Sequence, residues 1–271
     1  MDVRQTQIDW NTTPAAIWRS HHEAFHPIKH LDQVQLTQLL GIDQQKFELV
    51  QNTERFLACK PASNALLWGA RGTGKSSLIK ALLNRYVGHG LRVIEVLKED
   101  LRSLPEIVDG IRELPQRFII YCDDLSFDEG DKSYKPLKSV LEGSIEAKPN
   151  NIILYATSNR PNLFATSPGD HNITKEIGGQ WFYADDSEEK KSFSDRFGLW
   201  LKFFPTSKEH YLNIVDSLFE DFSGDRESLH KAAIEFANTR ENYNGRTALH
   251  FYQRFYNYKD DGEISSSGYT R

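Results

Sequence analysis

The stretch Gly69-Ala-Arg-Gly-Thr-Gly74-Lys75-Ser76 constrains the fold of this chain more than any other, because it has the spacing G-x-x-x-x-G-K-[ST]. Its flanks matter as much as the loop. Asn64-Ala-Leu-Leu-Trp68 reads as a short buried strand entering it, and Ser77-Leu-Ile-Lys-Ala-Leu-Leu-Asn84 carries helical spacing leaving it. Strand, tight glycine loop and helix in that order begin a parallel α/β sheet. Glycines let such a loop turn many N–H donors inward, and the following helix N-terminus adds unpaired donors and the positive end of a dipole. The combination suits a chain of phosphates. It predicts a nucleoside triphosphate with Mg²⁺, held by Gly69, Ala70, Arg71, Gly72, Thr73, Gly74, Lys75, Ser76 and Ser77. In this arrangement Lys75 reaches the β and γ phosphates, and Ser76 offers its hydroxyl to Mg²⁺.

Further apolar runs alternate with helical patterns along the chain. Leu91 to Leu97, Arg117 to Cys122, Asn151 to Ala156 and Leu199 to Phe204 read as strands, with helices over Leu101 to Leu114 and Tyr134 to Ala147. The expected core is a five-stranded parallel sheet with helices on both faces. After Pro205 the strand signal stops, and helical patterns follow over Ser207 to Phe222, Arg226 to Thr239 and Thr247 to Tyr256. Upstream, Trp10 to Leu40 reads as mostly helical and Gln44 to Leu57 as a helix leading into the first strand. The organisation expected is a helical extension over 1–40, a nucleotide-binding core over 41–205, a helical lid over 206–258 and a polar, disordered tail over 259–271. The segment from Pro161 to Ser194 is long for a connection and holds Gly178-Gly179 beside Trp181-Phe182-Tyr183, so it reads either as functional or as a solvated insertion.

Composition narrows the class. A net charge of −5 with 26% charged residues gives no strongly basic surface, which weakens the case for sequence-independent nucleic-acid binding while leaving room for a local patch. Two cysteines, Cys59 and Cys122, make no disulfide framework and fit a reducing compartment. The opening residues lack the apolar core of a signal peptide, and no apolar run approaches the roughly 18 residues of a membrane span, so a cytoplasmic location is expected. His22 and His26 have i,i+4 spacing, but Pro27 interrupts the helix and no further ligand completes a metal set.

Phosphoryl transfer from a nucleotide needs a held Mg²⁺, an oriented water and positive charge near the departing phosphates. Asp123 and Asp124 follow an apolar strand. The first is placed to hold Mg²⁺ through its water shell, and the second to polarise the attacking water. Asn159 closes Tyr155-Ala-Thr-Ser-Asn159, again at the end of a strand where ligands of open α/β sheets collect, and its amide can hold the water or the γ-phosphate.

Taken together, these residues resemble the AAA+ ATPases from Gly41 to Tyr256. The glycine loop corresponds to Walker A, Phe118 to Asp124 to Walker B and Asn159 to sensor 1. The resemblance implies that Arg196, in Ser194-Asp-Arg-Phe-Gly198, is an arginine finger acting in trans on the next subunit of a homo-oligomer. It implies that Arg246 is sensor 2 on a helical lid, that Gly41 and Ile42 border the adenine, and that the cofactors are ATP and Mg²⁺. More closely, Leu66 to Ser77, Cys122-Asp-Asp-Leu-Ser126 and Ser194 to Gly198 look like a family of bacterial predicted AAA+ ATPases known only as a domain of unknown function.

One departure bears on rate. Most AAA+ proteins carry Asp-Glu where this chain has Asp123-Asp124, so the water-polarising carboxylate is one methylene shorter. Slow hydrolysis is expected, or help from a second acid such as Glu129. The leading expectation is an ATPase that remodels an unidentified protein client or complex. The alternatives are a nucleic-acid-associated helicase loader or transposition helper, since helicase loaders also carry Asp-Asp-Leu there, and an ATP-binding switch with little turnover. No membrane partner is expected.

Overall fold

The apolar runs on either side of the glycine loop become neighbours in one sheet. A computed structural model describes residues 8–128, 131–142, 147–160, 163–164, 174–177, 180–183 and 193–256. Its strands are β1 (Ala15–Arg19), β2 (Ala24–Pro27), β3 (Ala65–Gly69), β4 (Leu91–Glu95), β5 (Arg117–Cys122), β6 (Ile152–Ser158), β7 (Thr174–Ile177), β8 (Gln180–Tyr183) and β9 (Leu199–Phe203). Its α-helices are α1 (Asp43–Leu57), α2 (Lys75–Tyr86), α3 (Leu104–Ile111), α4 (Lys135–Glu142), α5 (Lys208–Leu218), α6 (Arg226–Thr239) and α7 (Gly245–Phe255).

The main sheet has seven strands in the order β2-β1-β4-β5-β6-β3-β9. The five expected strands are β3, β4, β5, β6 and β9, and every pairing among them is parallel. Two more strands correct the expected count. β1 adds parallel to β4, with Ala15 opposite Val93, and β2 folds back antiparallel on β1. The mostly helical reading of Trp10 to Leu40 is therefore also corrected: short 3₁₀ turns and the β1–β2 pair stand there. Ala15 is buried on one face of the sheet and Ala16 and Trp18 on the other, so no two-residue alternation announces a strand. The local preference of alanine for helix yields to the open edge of β4. The His22 and His26 spacing loses its meaning with it, since His22 lies in a 3₁₀ turn and His26 in β2.

Helices cover both faces. On one, Leu49 and Phe56 of α1 and Leu78 and Leu82 of α2 pack on Leu67, Ile119, Tyr121 and Tyr155. On the other, Ile107 and Ile111 of α3 and Leu137 of α4 pack on Leu66, Phe118, Ile120 and Leu154. Because side chains alternate along a strand, the face bearing Ile119 and Tyr121 also receives Asp123, and the face bearing Tyr155 receives Thr157 and Asn159. That is the α2 side, where the glycine loop delivers its helix.

The three C-terminal helices have a core of their own, built on Tyr211, Val215, Phe219, Leu229, Phe236, Phe251 and Phe255. Each opens on a side-chain cap: Ser207 accepts from the His210 N–H, Asp225 from the Ser228 N–H and Asn244 from the Thr247 N–H. Within the Pro161 to Ser194 segment, β7 pairs antiparallel with β8. The rest of that segment, apart from residues 163–164 and 193–194, lies outside the described residues, as do Glu129 and the tail over 259–271. Among the described residues, no helix is long and apolar enough to cross a membrane.

Candidate nucleotide site

The loop joining β3 to α2 is fixed by close backbone approach. The Phe203 carbonyl at the end of β9 accepts from the Ala70 N–H at 3.1 Å, and a Cβ at Gly69 would stand 2.0 Å from that same oxygen. Only glycine fits there. At Gly72, with φ of 73°, a Cβ would fall 2.6 Å from the Asn244 side chain. The Gly72 carbonyl also accepts from the Gly245 N–H at 3.1 Å. The loop thus touches both the sheet edge and the start of α7.

Lys75 opens α2 and is buried. Its Nζ donates to the carbonyls of Gly69 at 3.0 Å and Ala70 at 2.7 Å and to Asn159 Oδ1 at 3.0 Å. Burial lowers its pKa, and the charges of Asp124 and Asp123 oppose that shift, while those of Arg71 and Arg246 reinforce it. Arg71 and Arg246 therefore lie close enough to act on Lys75, which gathers positive charge at the loop, the field a triphosphate needs.

The acidic side is equally ordered. Ser76 Oγ donates to Asp123 Oδ1 at 2.8 Å, and the Thr157 hydroxyl donates to the same oxygen. Desolvation works against ionising Asp123, but hydrogen bonds led by that from Thr157 outweigh it and hold the carboxyl below its ordinary range. The Asp124 N–H donates to Thr157 Oγ1 at 2.9 Å, and Asn159 Nδ2 donates to Asp124 Oδ1 at 2.6 Å. Asp124 takes a left-handed φ of 50°, which turns the chain sharply just past β5. One hydrogen-bonded path therefore runs from Lys75 through Asn159 to Asp124, and a second from Ser76 through Asp123 and Thr157 to Asp124.

This arrangement brings together the loop residues, Asp123, Asp124 and Asn159. Ile42 joins them from the entrance to α1, its Cδ1 3.6 Å from where a Cβ on Gly74 would be, while Gly41 beside it meets His210. Arg246 lies in the first turn of α7, beside the residues that meet Gly72. Arg196 is not brought in. It precedes Leu199, which pairs with Ala65 at the start of β3, whereas the loop leaves from Gly69, which pairs with Phe203. The length of β3, roughly 13 Å at 3.3 Å per residue, separates its end of the sheet from the loop.

Sequence reasoning passed over two residues. Thr157 stands two positions before Asn159, so strand periodicity alone puts both on one face. Glu95 ends β4 opposite Tyr121; burial, and then the charge of Asp123, raise its carboxyl pKa. The alternation that brings Glu95 beside the site depended on knowing that β4 neighbours β5.

The donor chemistry fits the expected ligands. A hydroxyl and a depressed carboxylate suit a hard divalent cation that keeps part of its water shell, and a glycine loop at the N-terminus of α2 beside Lys75 suits phosphate oxygens.

A mostly parallel sheet in this strand order, with the glycine loop leaving its inner strand β3 and a helical unit following, defines an α/β P-loop fold of AAA+ type. The fold is shared with a single-residue variant of RuvB from Thermotoga maritima at 13% identity and a TM-score of 0.50, over 87% of this chain and 77% of that one. A second RuvB structure from the same organism, described as a Holliday junction branch migration motor, aligns at 14% identity and a TM-score of 0.47, over 86% and 75%. No curated protein matches the chain in sequence. The chain belongs to the family described as "Protein of unknown function (DUF815)", whose model matches residues 11–259.

Proposed function

We propose that this chain binds ATP with Mg²⁺ at the loop between β3 and α2 and hydrolyses it slowly, as one subunit of a homo-oligomer that remodels a protein or macromolecular complex. The observation that carries the reading is the hydrogen-bonded assembly of Lys75, Asn159 and Asp124 with Ser76, Asp123 and Thr157. Such an assembly spaces a cation donor, an amide and two carboxylates around one loop. Ser76 and Asp123 would hold Mg²⁺, which supplies charge neutralisation for the phosphate oxygens. Lys75 would exchange its loop carbonyls for phosphate oxygens, stronger partners for an ammonium ion. Asp124 accepts the proton of the attacking water, with Asn159 fixing the carboxylate's orientation. Arg71 and Arg246 lie close enough to act on Lys75, whereas Arg196 stands at the other end of the sheet. That separation is the reason to assign Arg196 to a neighbour's site.

Mixing variants tests this. Arg196→Ala should keep ATP binding and lose roughly 10³-fold or more in hydrolysis, while Lys75→Ala should lose most ATP affinity. Mixed together, one supplies an intact site and the other an intact arginine, so phosphate release should partly return, and the specific rate of the wild type should rise with protein concentration. A flat specific rate with no rescue would remove the action in trans, and undiminished ATP binding by Lys75→Ala in calorimetry would remove the loop assignment itself.

A further inference from the structure

We propose that Glu95 and the Tyr121 hydroxyl bind the water shell of the cation held at Ser76 and Asp123, so that the divalent-cation site extends one strand further, onto β4. The inference rests on the nucleotide reading above and adds to it two residues that act on the metal through its waters. Glu95 closes β4 and pairs with Tyr121 of β5. Val93, two positions earlier, packs on the α2 side of the sheet, as Tyr121 does, and strand alternation puts Glu95 and Asp123 on that side too. The two carboxylates therefore stand on neighbouring strand ends. Ser76, at the start of α2, already donates to Asp123 at 2.8 Å.

Three features of this corner are unfavourable for the chain alone. Glu95 is half-buried, and no hydrogen bond or ion pair to another described residue satisfies its carboxylate. The negative charge of Asp123 acts on it, and Lys80, which Asp32 engages at 3.0 Å, offsets that only in part. Tyr121 is 6% exposed and its hydroxyl makes no hydrogen bond, although Asp123, Ser76 and Glu95 lie near enough to act on it. Like charges side by side and a buried hydroxyl left unpaired each cost free energy. A hydrated divalent cation relieves all three. Mg²⁺ gives up its waters reluctantly, and each water it keeps is a donor for an oxygen that no protein group reaches. Partners in this outer position change metal affinity by about 10- to 100-fold. The strand order settles the role, because β4 lies on the side of β5 away from β6 and β3. Glu95 thus approaches the cation from the side opposite Lys75 and Asn159, and leaves the attacking water to Asp124.

Calorimetric titration of the full chain with ATP, once in Mg²⁺ and once in EDTA, tests this. Glu95→Gln keeps the shape and removes the charge. It should cut the gain in ATP affinity that Mg²⁺ gives the wild type by about tenfold, while affinity in EDTA stays within about threefold. Tyr121→Phe should cut the same gain by about threefold. Since Glu95→Gln relieves repulsion with Asp123, its urea midpoint should equal or exceed that of the wild type. An undiminished Mg²⁺ gain in Glu95→Gln, an equal loss with and without Mg²⁺, or a lowered urea midpoint would overturn the proposal. A wild type whose ATP affinity is the same in Mg²⁺ and EDTA would remove the cation from Ser76 and Asp123, and one that binds no ATP would overturn the nucleotide reading itself.

Discussion

At the ends of β3, β5 and β6, the side chains of Lys75, Ser76, Asp123, Asp124, Thr157 and Asn159 are bonded to one another or to their own loop. The helices α5 to α7 meet this region differently: His210 packs against Gly41, and Asn244 and Gly245 against Gly72. The first region is held by the register of adjacent strands, which share a continuous apolar core with α1 and α2. The second has its own apolar core, centred on Phe219, Phe236 and Phe251, and touches the loop through glycines that leave room for a neighbour. Interactions made through sheet register are stiff, since moving one strand end disturbs every pairing beside it. Contacts between separately cored units are the ones expected to shift when a ligand arrives. On the proposed reading, chemistry belongs to the strand ends and closure over the nucleotide to the helical unit.

The sharpest way to break this division is to remove the group assigned to the chemistry and ask whether binding survives. Asp124→Asn should lower phosphate release by roughly 10³-fold while ATP affinity in calorimetry stays within about twofold, because the amide keeps the shape and the bond from Asn159 but loses the proton-accepting charge. Binding lost together with turnover would mean that the strand ends do not separate the two tasks. A faster Asp124→Glu enzyme would identify the short carboxylate as the cause of slow hydrolysis.

A smaller effect is expected from the residue that links the two acids without touching either phosphates or water. Thr157→Val is close to isosteric at a fully buried position, yet it removes the donor to Asp123 and the acceptor for the Asp124 N–H. Turnover at saturating Mg²⁺ should fall about tenfold, and the protein should lose about 1 kcal/mol of stability in urea unfolding, the cost of stranding a part-buried donor. Turnover and stability both unchanged would show that the site is held by strand register alone.

The smallest effect belongs to the helical unit. Asn244→Ala removes the cap of α7 at the Thr247 N–H and the side chain that fills the space over Gly72. It should cost about 1 kcal/mol, lowering the melting temperature by about 2–4 °C, and weaken ATP binding less than threefold. A loss of turnover as large as that from Thr157→Val would place Asn244 within the chemistry and erase the distinction between the regions.

What the amino-acid order determined by itself is the loop and the strand ends. Phosphate binding demands glycines, a lysine and a hydroxyl at fixed spacing, and a strand that must be buried on both faces shows as an apolar run ending in the first polar residue. Asp123 was legible for that reason, and Asn159 as the amide just past the end of β6. The choice of strand over helix at Ala15–Arg19 was not, because it depends on the edge of β4, more than 70 residues away in the chain. The same holds for Thr157 joining the site, for Glu95 lying beside Asp123 and for His210 meeting Gly41. Each follows from which segments become neighbours, and that is decided by burying apolar faces together over long sequence separations, a property of the assembled core that no local pattern carries.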